Sequence, residues 1–294
     1  MKPVYLMELV ILAALWGASF LFMRVGAPEF GPIVLIALRT AIAAIFLIPL
    51  VIMAGKLKLI KENALLLFVV GVIGTAIPFS LFSFAVLYVS AGYASILNAT
   101  APIFTALVAW IWVSERLTLS AALGLLIGFC GVVLLVLDDK SVSAEMIWIP
   151  VMACLAATLC YGIMANFARH KLGHVHPLAI AGGSQLGAAL SLAPFGWWLW
   201  PHTPPGQQAW LAVIILGIAS TAIAFILYFR LIANVGVTKA MTVTFLIPFF
   251  GVIWGMLFLQ EALTVFMLGG GLLILIGVGL STDILNRWRK SKAV

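Results

Sequence analysis

Apolar residues run along this chain in stretches of about twenty, separated by short polar or Pro/Gly-rich breaks. A helix needs about 20 such residues to cross the hydrocarbon core of a bilayer. The pattern therefore predicts ten membrane-spanning helices, at 4–27, 32–54, 64–88, 92–113, 118–137, 145–168, 177–200, 207–232, 237–259 and 264–285. The breaks carry turn chemistry, as in Ala27-Pro28-Glu29-Phe30-Gly31-Pro32, Asp138-Asp139-Lys140-Ser141 and Pro201-His202-Thr203-Pro204-Pro205-Gly206. The opening stretch, MKPVYLMELVILAALW, resembles a secretory leader. No A-x-A cleavage site follows and the apolar run continues to Val25, so it is read as a span.

The pattern repeats. A shift of 146 positions carries Pro102 onto Pro248, Glu115 onto Glu261, Gly124 onto Gly270 and Gly131 onto Gly277. Upstream it carries Gly71 onto Gly217, Thr75 onto Thr221 and Phe79 onto Phe225. One unit is thus written twice, as residues 1–140 and 141–294. Five spans per unit is an odd number, so the second copy enters the membrane upside down. Inverted repeats of this kind mark secondary transporters, with a site near the midplane between the copies.

Composition narrows the class. The chain is 65% hydrophobic and 9% charged, against about 25% charged in soluble domains. Lipid must face much of it. The net charge of +7 is not a nucleic-acid signal here, because the cations sit in short loops and a tail. Lys2, Lys56, Lys58, Lys61, Arg116, Arg169, Lys171, Lys239, Arg287, Arg289, Lys290 and Lys292 fall on one side, and Arg24 and Lys140 on the other. That bias puts both termini in the cytoplasm. Cys130, Cys154 and Cys160 lie in apolar runs without CxxC spacing and read as small buried hydrophobes.

Candidate chemistry lies on matched stripes. Thr75, Phe79 and Phe82 share one face of span 3, and Thr221, Phe225 and Tyr228 share the same face of span 8. Span 4 offers Tyr93, Ser95, Asn98 and Thr105, and span 9 offers Met241, Thr244 and Phe245. Span 1 contributes Trp16, Ser19, Phe20 and Met23; span 6 contributes Tyr161 and Met164. Together they predict a substrate cavity of aromatic rings, methionines, hydroxyls and one amide, although any single Thr or Phe among them reads better as ordinary helix packing. Asn98 is its leading polar residue, since an amide in lipid must find partners. Pro102 and Pro248 remove backbone donors in mid-helix and predict kinks that let each half take two shapes.

Arg39 lies about 10 Å inside span 2 and is a functional candidate by its depth. A structural pair with Glu29 or Glu261, on the same side, or a snorkelled side chain is expected, with a substrate carboxylate as the alternative. Arg230 is expected to snorkel, and Glu8 to lie near the inner interface. No Asp or Glu lies deep in a span, which favours facilitated diffusion or exchange over proton coupling. His170, His174 and His176 read as a solvated loop. The Gly-x-x-x-Gly pairs at Gly124, Gly183 and Gly251 predict close helix approach. Nothing here forms a phosphate-binding glycine loop, a catalytic triad or a metal motif, so neither an enzyme nor a cofactor is expected.

Several motifs carry a family resemblance. Trp16-Gly17-Ala18-Ser19-Phe20, Arg39, Asn98-Ala99-Thr100-Ala101-Pro102 and Ser114-Glu115-Arg116-Leu117-Thr118 resemble the EamA branch of the drug/metabolite transporter superfamily, and the whole chain is similar to its YddG-type aromatic amino-acid exporters. The resemblance implies an all-α integral membrane fold of ten helices around a central cavity, with spans 5 and 10 set aside from the pathway. It implies export of neutral and aromatic amino acids across the inner membrane, as monomer or homodimer, with the bilayer as partner and no nucleic acid. A multidrug exporter and a non-transporting scaffold are the alternatives. The second half departs from the pattern: Tyr161 stands for the Trp of the WG motif, Ser184 for Arg39 and Thr244 for Asn98.

Overall fold

The computed structural model describes residues 2–112, 118–137 and 148–281, with Val237 and Thr238 by backbone alone. Among them all regular structure is helical. Eight helices are long and apolar enough to cross a membrane: α1 (Pro3–Phe30), α2 (Pro32–Met53), α3 (Ala64–Ala85), α4 (Ala91–Trp112), α5 (Leu119–Val136), α6 (Trp148–Lys171), α7 (Pro177–Trp198) and α8 (Gln207–Val235). Two shorter apolar helices follow, α9 (Val243–Leu259) and α10 (Val265–Ser281). The expected boundary between halves at Asp138–Ser141, and the motif residues Ser114 to Leu117 with Glu115, lie outside the described residues.

Two boundaries differ from expectation. The turn expected over Ala27–Pro32 contracts to Gly31, whose φ of 75° suits a residue without a Cβ, and α1 runs on through Pro28 to Phe30. The helix expected from residue 237 is broken. A short helix, Val237–Ala240, ends in a turn before α9 begins at Val243. There the Thr242 and Thr244 hydroxyls donate to the carbonyls of Lys239 (2.7 Å) and Met241 (2.9 Å). Threonine hydroxyls compete with the helical ladder in this way.

The outer surface is apolar, with Ile45, Met53, Leu65, Trp197, Trp198 and Val265 all well exposed. In water such a surface would aggregate; in lipid it is solvated. Trp197, Trp198 and Trp200 cluster at one end of α7, the residue type and helix-end position typical of an interfacial aromatic belt.

The packing has an internal order. Helix α1 runs parallel to α9, with Gly17 against Ile247–Gly251 and Leu9 grouped with Ala240 and Val243. It runs antiparallel to α8, where Glu8 meets Arg230 and Trp16 meets Phe225. Helix α6 repeats both relations. It runs parallel to α4, with Thr158 bonded to Thr100 and Gly162 against Phe104, and antiparallel to α3, with Tyr161 on Phe82 and Met164 on Gly74. Three antiparallel pairs join equivalent helices, α2 with α7, α4 with α9, and α5 with α10, and α3 packs on α7 as α8 packs on α2. Helices α5 and α10 pack chiefly on each other, Gly124 on Gly277 and Gly131 on Gly270, to one side of the rest. These glycines bring backbones into contact within the chain, as the Gly-x-x-x-Gly pairs predicted.

Candidate functional site

Two aromatic clusters stand at the meeting of the halves. In one, Tyr161 of α6 meets Phe79 (ring centroids 6.3 Å apart) and Phe82 (6.2 Å) of α3. In the other, Trp16 of α1 meets Phe225 (6.3 Å) and Tyr228 (5.2 Å) of α8. The stripes read from helical spacing thus face a ring from the opposite half. Phe20 joins the first cluster, edge-on to Phe82 at 5.5 Å. Trp16, Phe79, Tyr161, Phe225 and Tyr228 keep part of their surface open, whereas Phe20 and Phe82 are buried.

Beside each cluster the helix widens into a π-helical turn, at Val72–Ala76 in α3 and Ile218–Ile223 in α8. The two turns occupy equivalent places in the repeat, and such turns recur at functional positions. Thr75 and Thr221 lie within them, both buried. The Thr221 hydroxyl donates to the Leu216 carbonyl at 2.8 Å, five residues back.

Arg39 reaches into the first cluster. Its guanidinium lies 3.7 Å from the Phe79 ring centre, Nε donates to Thr221 Oγ1 at 2.9 Å, and Nη1 points at Met23 Sδ, 3.9 Å away. The residue is 2% exposed. The expected carboxylate partners are elsewhere. Glu29 accepts from the Gly206 N–H, and Glu261 accepts from the N–H groups of Ala91 (2.7 Å) and Gly92 (3.1 Å). Helix starts have unsatisfied donors and a positive dipole end, so the first turn of α4 holds Glu261, and neither glutamate forms an ion pair with Arg39. Glu8 is buried within the bundle, and its Oε1 pairs with the exposed Arg230 at 3.0 Å.

Asn98 stands at a break in α4. The helical run Ala91–Asn98 gives way to a turn, and the helix resumes at Ala101. Pro102 has no N–H to offer the Asn98 carbonyl, which is the backbone vacancy its position predicts. The Asn98 side chain is partly exposed and makes no hydrogen bond among the described residues. Its counterpart Thr244 bonds its own turn. Pro248 lies inside a continuous α9.

The remaining predicted contacts divide. Ser19, Tyr93, Ser95 and Met164 are buried in packing; Ser95 Oγ donates to the Gly92 carbonyl at 2.7 Å and lies against Gly251. Phe245 is partly exposed and Met241 is 41% exposed. A groove of about 690 Å³ runs between α2, α3 and α7, lined by Val34, Ile77, Ser80, Phe84, Leu192 and Phe195, none of them predicted contacts. His170 and His174 are exposed, and His176 Nδ1 accepts from the Leu178 N–H at the start of α7. Cys130 is exposed, not buried, since its position on α5 faces outward.

Sequence reasoning passed over Gln185 on α7. It is 0% exposed, and neither amide atom has a partner among the described residues. Ala181, one turn earlier on the same face, packs with Leu47 and Ala222. The available signal was a lone amide inside an apolar run, the same signal that singled out Asn98.

A multi-pass helical membrane protein with paired aromatic clusters at the junction of its halves is the class these observations define. The model of the EamA-like transporter family matches residues 5–137 and again 148–282, so the chain belongs to that family. It is 24% identical to an uncharacterized transporter of Archaeoglobus fulgidus, over 92% of this chain and 95% of that one. It is 24% identical to the uncharacterized transporter YoaV of Bacillus subtilis, over 96% and 98%. A probable terminal-alkyne amino-acid exporter of Streptantibioticus cattleyicolor is 25% identical, over 92% and 90%. A solved crystal structure among those that match shares the fold, with a TM-score of 0.67, 20% identity, and coverage of 98% of this chain and 99% of that one.

Proposed function

We propose that the protein is a secondary, ATP-independent transporter of the cell's inner membrane, exporting neutral and aromatic amino acids by alternating access. Ten spans form two antiparallel five-helix units, with both termini in the cytoplasm. At 17 residues each, α9 and α10 are about 26 Å long, just enough to cross. The helix pairings support the inverted arrangement, because α2, α4 and α5 each run antiparallel to their own counterparts, α7, α9 and α10. The observation that carries the reading is the pair of aromatic clusters, each built from one half's third helix and the other half's first. An apolar or aromatic side chain lies between them, and Asn98, at the break in α4, holds the polar end. The amino-acid exporter among the relatives is consistent with that substrate class.

Counterflow of labelled phenylalanine, threonine and a dicationic drug in proteoliposomes at clamped pH tests the proposal. Saturable amino-acid exchange is expected, lowered in Asn98→Ala at equal folded yield. Exchange of the drug alone would replace this reading with the multidrug one. No exchange, and no thermal stabilisation by any of the ligands, would leave the scaffold reading.

A further inference from the structure

We propose that the Nη1–Nη2 edge of the Arg39 guanidinium, buried and short of acceptors, is an anion subsite that takes the substrate's carboxylate. The inference rests on the proposed amino-acid substrate and adds where its charged end is held. An arginine has five N–H donors in a planar fork. At Arg39 one goes to Thr221, one points at the thioether of Met23, and the other three have no partner among the described residues. A thioether sulfur at 3.9 Å is a poor acceptor. The edge formed by Nη1 and Nη2 is the one that a carboxylate engages with two parallel hydrogen bonds.

The surroundings favour an anion. Arg39 is almost wholly buried, and no described carboxylate pairs with it. A cation held this way is costly in the folded state unless a counter-charge arrives. The Phe79 ring covers one face of the guanidinium and orients the fork without neutralising it. Thr221 fixes Nε from the other half of the chain, at the π-helical turn of α8. Met23 Sδ is the one described acceptor at that edge, so a carboxylate there takes its place, while the substrate's side chain meets Phe79 and Tyr161. The ligand class is therefore a monocarboxylate with an adjoining apolar or aromatic group.

Three probes differing by one charged group separate the possibilities: phenylalanine, 3-phenylpropionate and phenethylamine. Binding is read by thermal stabilisation of the purified full chain. The wild type is expected to bind the two carboxylates and to bind phenethylamine about 10–100-fold more weakly, the size of a charge-assisted hydrogen-bond pair. Arg39→Met should abolish that preference, and Arg39→Lys should keep part of it. Equal binding of phenethylamine by the wild type would overturn the subsite even if no Arg39 variant folds. A preference that survives in a folded Arg39→Met would do the same. The two readings fail separately. Phenylalanine counterflow that is untouched by Arg39→Met removes the subsite and keeps the transporter. Arg39-dependent carboxylate binding without counterflow keeps the subsite and removes amino-acid export.

Discussion

The cluster of Phe79, Phe82 and Tyr161 and the cluster of Phe225, Tyr228 and Trp16 occupy equivalent places in the repeat, yet only the first contains a charge. Centroid distances from the α1 or α6 ring to the first aromatic of the stripe are the same, 6.3 Å, in both. Each stripe begins at a threonine in a π-helical turn. But Arg39 covers Phe79, while Ser184, its counterpart, turns its hydroxyl to the Ala181 carbonyl at 3.1 Å. Shape has been kept in duplicate and charge has not. If the halves rock as proposed, a site between them moves symmetrically yet binds its ligand in one orientation, with the anionic end toward the first half.

The largest effect tests the shared shape. Gly17 and Gly162 are equivalent positions, and each lets α1 or α6 touch a neighbouring backbone. A Cβ on Gly17 would stand 2.7 Å from Phe250 Cβ and 2.9 Å from the Gly251 nitrogen; one on Gly162 would stand 2.8 Å from the Phe104 carbonyl carbon. Gly17→Val and Gly162→Val should each cost about 1–3 kcal/mol or more, because backbone cannot step aside as a side chain can. Thermal unfolding in detergent checks this. Tolerance of one but not the other would break the equivalence.

The next effect tests the difference in charge. Phe79→Ala removes a ring and the face of Arg39, a desolvated cation–π contact of about 2 kcal/mol. Phe225→Ala removes a ring alone. Transport of phenylalanine should fall more in Phe79→Ala, by about tenfold relative to Phe225→Ala, and equal losses would show that the Arg39 stack contributes nothing.

A smaller effect is expected at the end of the bundle. Glu261→Gln weakens the two hydrogen bonds to the start of α4, worth about 1 kcal/mol as a charged cap. The α4–α9 contact near Gly92 and Ser95 should loosen, seen as faster amide exchange at Ala91 and Gly92. Unchanged protection there would mean that the cap is not holding the two helices.

Much of this was legible beforehand, for physical reasons. Runs of apolar residues give spans because lipid leaves the backbone no other solution. The 146-residue shift, seen in Pro102 and Pro248, gave the duplication, and helical spacing gave the faces of Phe79 and Phe225. What a face meets is a tertiary fact. Nothing local says that Arg39 bonds Thr221 across the chain, or that Glu261 finds the start of α4 before it finds a cation. The break before α9 was hidden because Thr242 and Thr244 are tolerated in an apolar helix as readily as at its end. Gln185 carried the same signal as Asn98 but lacked a neighbouring proline to draw notice.

The central claim is that the two halves lie antiparallel in the membrane, and a labelling map tests it most directly. The α2–α3 connection carries Lys58 and its counterpart, the α7–α8 connection, carries His202; both side chains are exposed. In a background with Cys130, Cys154 and Cys160 replaced by alanine, Lys58→Cys and His202→Cys are exposed to a membrane-impermeant thiol reagent in intact cells. His202→Cys should react at once and Lys58→Cys only after permeabilisation. Reaction of both from the same side would contradict the account.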